Sequence, residues 1–275
     1  MTLRVTRFAG EYAAIAARTG DDEAVLRADE DYTSGEREHW LAWDGATLAG
    51  LLHPWHAPDG RVRLYFEACR PDAYAALAGA VTSACLATVG EDDEQAWAGL
   101  AAAGFAEVRR EREYEMPVRV PDAPVPDGLR VVTGDATALE PLMMLDCALR
   151  QEVPGADGWQ PDPDWFRAET YESPDYDPLT YRVALDGDAY VGLARVWNGP
   201  VPRLGLIGVL PGYRRRGLAR ALIARAFAPL ASRGVSVVTA EADAGNLASH
   251  TLLTGLGARI TGTAVELGRP AVGAG

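Results

Sequence analysis

Apolar residues along this chain recur at two spacings, and the changes between them outline the elements. Leu139, Leu142, Leu145 and Leu149 repeat at helical intervals and predict a helix over 135–151. Leu218, Leu222, Ile223, Ala226 and Phe227 do the same within 217–232. Two-residue alternation over 181–185 and 190–196, around Asp186-Gly187-Asp188, predicts a hairpin. Short apolar runs at 129–133, 204–210, 235–239 and 258–267 read as strands, and 164–172 and 246–256 as further helices. The order is β-α-α-β-β-β-α-β-α-β, and its helical crossover makes 204–210 and 235–239 parallel.

The first half repeats this pattern in weaker form. Asp44-Gly45 separates strands at 40–43 and 47–55. Strand 61–67, helix 72–84, strand 86–89, helix 94–103 and a long strand 105–116 follow. The Pro-rich stretch 117–128 is restricted to extended geometry and reads as a linker. The chain is therefore expected to divide into 1–117, a linker 118–127, a second domain 128–268 and a flexible tail 269–275. The matching order predicts an internal duplication, of α/β (α+β) class, with two mixed-sheet domains in tandem.

Composition narrows the function. The net charge of -13 argues against nucleic acid, whose phosphates need a surplus of Lys and Arg. It suits a cationic ligand. No apolar run is long enough to span a bilayer, and Met1 to Arg7 leads into no secretory signal, so a cytoplasmic protein is expected. Cys69, Cys85 and Cys147 are scattered and read as buried thiols. The four histidines form no metal-binding pattern, and no metal is expected.

The basic residues concentrate where strand 204–210 gives way to helix 217–232. Helix N-termini carry unpaired N–H groups and partial positive charge, which suits phosphate. Gly217 removes a side chain where a phosphate would approach, and Ala219 is small for the same purpose. Arg214, Arg215, Arg216 and Arg220 add cationic charge against an acidic background. Alone, these residues favour a helix start with a solvated basic face.

The wider pattern is more specific. Val209-x-Pro211 followed by Arg214-x-x-Gly217-x-Ala219 resembles the acyl-CoA loop of the GNAT (GCN5-related N-acetyltransferase) superfamily. That loop reads Gln or Arg, two residues, Gly, one residue, then Gly or Ala. The run Asn246 to Ala258 resembles the family's next motif, a helix opened by Asn and ended by Gly and a hydrophobic residue. The resemblance covers 129–267.

It implies two GNAT-like domains and an acetyl-CoA co-substrate. The pantetheine arm would meet Ile207 and Val209 between splayed strands. Residues Arg214, Arg215, Arg216, Gly217, Leu218, Ala219 and Arg220 would hold the pyrophosphate, with Asn246 and Ser249 facing the cofactor. Asn246 also reads as a plain helix cap. The implied reaction is direct attack of an amine on the thioester. Glu241 is the candidate base and Asp243 the second choice, although both also read as solvated carboxylates. The position of the family's thiolate-protonating Tyr corresponds to Leu253, which leaves His250 and Tyr213 as substitutes.

The acceptor region, 150–165, carries acids with Trp159 and Trp165, and suits a small cationic amine such as an antibiotic or amino-acid derivative. Core anchoring explains both tryptophans equally well. Residues 94–105 resemble the family's last-helix motif, yet no Arg-x-x-Gly-x-Gly/Ala run follows strand 61–67. The first domain is thus expected not to bind CoA, with Trp40, Trp43, Trp55 and His56 as candidates for walling an acceptor site. The alternatives are acetylation of a protein N-terminus or lysine, and a non-catalytic CoA- or ligand-binding protein. A homodimer is one expected assembly.

Overall fold

A computed structural model describes residues 2–29, 32, 38–57, 59–156 and 158–272. The chain forms two compact units, 1–110 with 264–275, and 111–263. None of the helices among the described residues is long and apolar enough to cross a membrane.

The first unit holds β1 (Arg4–Arg7), α1 (Tyr12–Thr19), α2 (Glu23–Ala28), β2 (Trp40–Asp44), β3 (Thr47–His56), β4 (Val62–Glu67), α3 (Pro71–Ala78), β5 (Cys85–Gly90) and α4 (Glu94–Ala102). Strands β1 to β4 pair antiparallel in sequence order, and β4 pairs parallel with β5. Alternation sorts the side chains to two faces. Leu41, Trp43, Leu48 and Leu51 pack on Ile15 and Leu26 of the first two helices. Ala42, Ala49, Leu52 and Leu64 pack on Leu77 and Leu100 of the next two. The pattern-based reading has no counterpart for β1, α1 and α2. Each of these helices buries a single residue, so neither displays a broad apolar stripe. Helix α3 stops at Gly79 rather than running to 84.

The chain crosses into the second unit within β6 (Ala106–Pro117). That unit continues with β7 (Leu129–Thr133), α5 (Leu139–Arg150), α6 (Pro163–Thr170), β8 (Tyr181–Asp186), β9 (Ala189–Trp197), β10 (Arg203–Val209), α7 (Leu218–Ser232), β11 (Val237–Asp243) and α8 (Leu247–Thr254). The last strand, β12 (Arg259–Arg269), leaves the second unit after Thr263. Its residues 264–269 pair antiparallel with β5. Conversely, β6 residues 111–117 pair antiparallel with β11. Each unit's sheet is thus completed by a strand from the other half of the sequence. The Pro-rich segment follows this crossing, and does not mark it.

In the second unit the sheet runs β6-β11-β10-β9-β8-β7. Gly187, at φ +56°, makes the tight β8–β9 turn. Leu142, Leu145, Leu149 and Phe166 of α5 and α6 cover one face, against Val183, Leu193 and Leu206. Helix α7, rich in Ala, Leu and Arg with high helix propensity, covers the other. Its Leu218 and Leu222 meet Val191 and Val209, and its Ile223 and Phe227 meet Leu204 and Val238. Each fully buried Leu contributes roughly 1.5–3 kcal/mol. Strand β11 starts later and ends later than the apolar run at 235–239. Its buried alternation continues through Val238, Ala240 and Ala242. Glu241 therefore lies inside a paired strand.

Candidate active site

Strands β10 and β11 pair at only two positions, Arg203↔Thr239 and Leu204↔Ala240. On its other edge β10 pairs with β9 through to Val209↔Gly192, with an irregularity between Leu204 and Leu206. The two parallel strands thus part beyond Leu204 and Ala240, and form a fork that opens towards their C-terminal ends. The Leu210 N–H donates to the Val191 carbonyl on the β9 side. Strand alternation then turns the backbone groups of Ile207 and Val209 into the gap. The expected splay and these two residues come together here.

The loop after β10 leads across the mouth of the fork. A 3-10 turn at Pro211–Tyr213 precedes Arg215 at φ +62° and Gly217 at φ +83°. A non-Gly residue in the left-handed region costs about 1–2 kcal/mol. Gly217 caps α7 with no side-chain acceptor. Among the described residues no acceptor takes a hydrogen bond from the backbone N–H groups of 215–220, while Ala221 N–H bonds Gly217. Residues 215, 216, 217 and 220 are exposed, Ala219 is half-buried, and Leu218 is buried as an anchor in the core. Six open N–H donors at and before a helix N-terminus have the chemistry to accept an anion.

The arginines divide the work. Arg214 Nε donates to the Val209 carbonyl at 2.8 Å, and its guanidinium pairs with Glu152. Its side chain holds the loop to the strand rather than reaching for a ligand. The Arg216 guanidinium lies 5.9 Å from the Tyr213 ring centre, and Tyr213 donates to Asp186 at 2.8 Å. That bond ties down the Tyr213 hydroxyl. Helix α8 starts just past the end of β11, so its first turn also borders the mouth. Asn246 caps it, accepting from Ser249 N–H at 3.1 Å.

Glu241 stands one residue beyond the last β10–β11 pair. It is directly opposite Glu113, while Asp243 is opposite Glu111. Like charges facing across strands destabilise a sheet. Glu241 is about half exposed, with Arg203 Nη1 at 3.9 Å. Its carboxyl is held above the usual carboxylate range, first by partial burial and then by Glu111 and Glu113, against the opposing effect of Arg203. Glu111 and Glu113 thus stand beside Glu241 and Asp243, although the linker-based division assigns them to the other domain. Their signal is the alternation Glu111-x-Glu113-x-Glu115 on one strand face.

Below the α5–α6 face, Asp146 is buried between two guanidiniums, with Arg150 Nε at 2.7 Å and Arg195 Nη1 at 3.5 Å. Arg150 also lies 4.6 Å from the Trp159 ring centre, and Trp159 meets Trp165 edge-on at 5.1 Å. Trp159 is thus a buried anchor already occupied by a cation from the protein. Asp157, within the same acidic stretch, lies outside the described residues. In the first unit, Arg7 and Arg4 cover Trp40 and Trp43, and Arg63 covers Trp55. After β4 and before α3, no run of open N–H groups with a left-handed Gly matches that of 215–220; Ala68 is the positive-φ residue there.

Residues 147–258 match the model of the Acetyltransferase (GNAT) family. The match places a GNAT domain in the second half of the chain. A comparison with curated proteins by sequence found no match. Among solved structures, the chain is similar to a GCN5-related N-acetyltransferase from Sphaerobacter thermophilus, at TM-score 0.68 and 16% identity, over 98% of this chain and 95% of that one. It is also similar to a tandem GNAT protein from the clavulanic acid biosynthesis pathway, at TM-score 0.66 and 14% identity, over 99% and 100% of the two chains. A GNAT-family acetyltransferase from Colwellia psychrerythraea gives 0.60 and 11%, over 96% and 98%. At these identities the likeness is one of fold, and it extends the tandem GNAT architecture over the whole chain. A GNAT domain over these residues supports acyl transfer in general.

Proposed function

We propose that the second GNAT unit transfers an acetyl group from acetyl-CoA to the amine of a small cationic molecule by direct attack. The observation that carries this reading is the fork between β10 and β11, with six open N–H groups at its mouth. The fork is a slot for an extended pantetheine arm, with the backbone of Ile207 and Val209 as its wall. The N–H groups of 215–220 would take the pyrophosphate, and Arg215, Arg216 and Arg220 its remaining charge. Asn246 and Ser249 border the same mouth from α8. The thioester supplies the electrophilic carbonyl.

Glu241 is the proposed base. It sits past the fork on the strand face opposite α8, and its raised proton affinity makes it a stronger base than an ordinary carboxylate. Glu111, Glu113 and Asp243 line the same face and attract a cationic acceptor. A thiol-release assay with acetyl-CoA, across small amines and peptides, tests the proposal. Turnover on small cationic amines supports it, and turnover confined to peptides supports a protein acceptor instead. CoA binding without turnover on any amine would leave a ligand-binding role.

A further inference from the structure

The thiolate that leaves in such a reaction needs a proton, and the last helix has no tyrosine at the position the family pattern suggests. Leu253 is 2% exposed and belongs to the core. Tyr213 is bonded to Asp186. His250 remains, and the fold gives it a partner from an unexpected element. The Tyr114 hydroxyl, on β6, lies 2.9 Å from His250 Nδ1.

The position of this pair is set by register. Tyr114 is paired with Ala240, the last β11 residue that still pairs with β10. The pair therefore lies level with the point where the fork begins. Tyr114 shares its face with Ala240 and Ala242, packed with Leu253 of α8. Glu241 points to the other face, beside Glu113. His250 lies one turn before Leu253 on the core-facing stripe, nearer the helix start that borders the fork. Tyr114 is 1% exposed, so its hydroxyl would be left unsatisfied without the ring. His250 is half-buried, and among the described residues its Nε2 makes no hydrogen bond.

We propose that His250 is the proton donor to the departing thiolate and that Tyr114 is its positioning residue. The inference rests on the acetyl-transfer reading above. As the amine nitrogen bonds to the carbonyl carbon, the C–S bond breaks and its electron pair stays on sulfur. The imidazolium gives its Nε2 proton to that sulfur and becomes neutral. It keeps the Nδ1 proton, donated to the Tyr114 oxygen, and regains its Nε2 proton from water between turnovers. One carboxylate base and one imidazolium acid thus stand on opposite faces of the same strand pair. Tyr114 is the titratable group set against the ring; Glu241 and Glu113 lie across the strands, and Arg220 lies further along, at Gly255.

The test uses the full chain and the variants His250→Gln and Tyr114→Phe. In His250→Gln, kcat should fall about a hundredfold, the scale of general acid catalysis, with KM for acetyl-CoA within about twofold. The fall in kcat at alkaline pH should disappear with it. Tyr114→Phe should keep that alkaline limb but shift it, with a smaller loss of kcat. In histidine-labelled protein, the ring nitrogen signals of His250 should respond differently to CoA and to desulfo-CoA. An unchanged kcat and pH profile in His250→Gln, or identical signals with the two ligands, would overturn the proposal. Failure of the wild-type protein to bind CoA at all would instead sink the acetyl-transfer reading.

Discussion

Arg214 Nε donates to the carbonyl oxygen of Val209, five residues earlier, at 2.8 Å. The first arginine of the loop thereby fixes the angle at which the loop leaves β10. A hydrogen bond from a charged donor contributes about 1.5–3 kcal/mol, and partial exposure places this one at the lower end. Arg214→Ala should therefore weaken CoA binding about tenfold by calorimetry. Arg214→Lys should not restore it, because an ammonium cannot reach the strand carbonyl and Glu152 as a planar fork does. Full restoration by Lys would show that charge alone matters here.

Gly217 has φ +83° and open space where a Cβ would stand. Its role is conformational, since no neighbour would clash with a side chain. Gly217→Ala should cost about 1 kcal/mol of stability from the left-handed backbone. Gly217→Asp should add repulsion to a pyrophosphate and abolish measurable CoA binding. Unchanged CoA affinity in Gly217→Asp would remove the loop from the site.

Glu241 is held above the usual carboxylate range by partial burial and by Glu111 and Glu113. A base must be deprotonated, so kcat/KM should fall as pH drops through this raised value, at a higher pH than an ordinary carboxylate would give. The linked stability effect has the opposite direction. Between the unfolded and the folded pKa, the folded state binds more protons, so stability falls as pH rises through that window. Glu241→Gln should consequently lose activity while melting at a higher temperature than the wild type near neutral pH. A lower melting temperature would contradict the unfavourable charge.

Asp146 is 1% exposed and serves both Arg150 and Arg195, the latter 4% exposed. Burial lowers the proton affinity of the Arg150 guanidinium. Removing the shared carboxylate leaves two enclosed cations facing each other. Asp146→Asn should destabilise the fold by about 3–5 kcal/mol in urea titration. Adding Arg195→Met should recover part of that loss, because the two residues are coupled. Strict additivity would mean that the cluster is not acting as a unit.

Much of the second unit was legible because its elements are long and strongly periodic. The leucines of α5, the stripe of α7 and the Asp186-Gly187 turn are local signals, and local signals survive in a sequence. The strand–loop–helix junction after β10 was legible for the same reason, since strand, arginines, glycine and helix are contiguous. What pairs across distance was not. Arg214 looks like a phosphate ligand until Val209 and Glu152 are seen to hold it. Tyr114 and His250 are separated by 136 residues, and nothing in either stretch announces the other. The exchange of strands defeats a linker-based division most completely. The prolines mark extended backbone, whereas the boundary between units falls within the paired strands β6 and β12.

That exchange makes a prediction about truncation. Residues 264–269 supply β5 with its antiparallel partner, and they bury Val265 at 0% and Leu267 at 1% exposure in the first unit's core. Glu266 also receives Arg109 Nε at 2.9 Å. Two fully buried side chains are worth roughly 1.5–3 kcal/mol each, before the ladder hydrogen bonds are counted. Total domain stability is only about 5–15 kcal/mol. Deleting 264–275 should therefore unfold the first unit, although every deleted residue lies at the far end of the chain. Hydrogen exchange should show loss of protection in β4 and β5 while β8 and β9 remain protected. The fragment 1–117, which lacks the same strand, should likewise fail to fold. Native protection of β5 in either protein would show that the borrowed strand is dispensable.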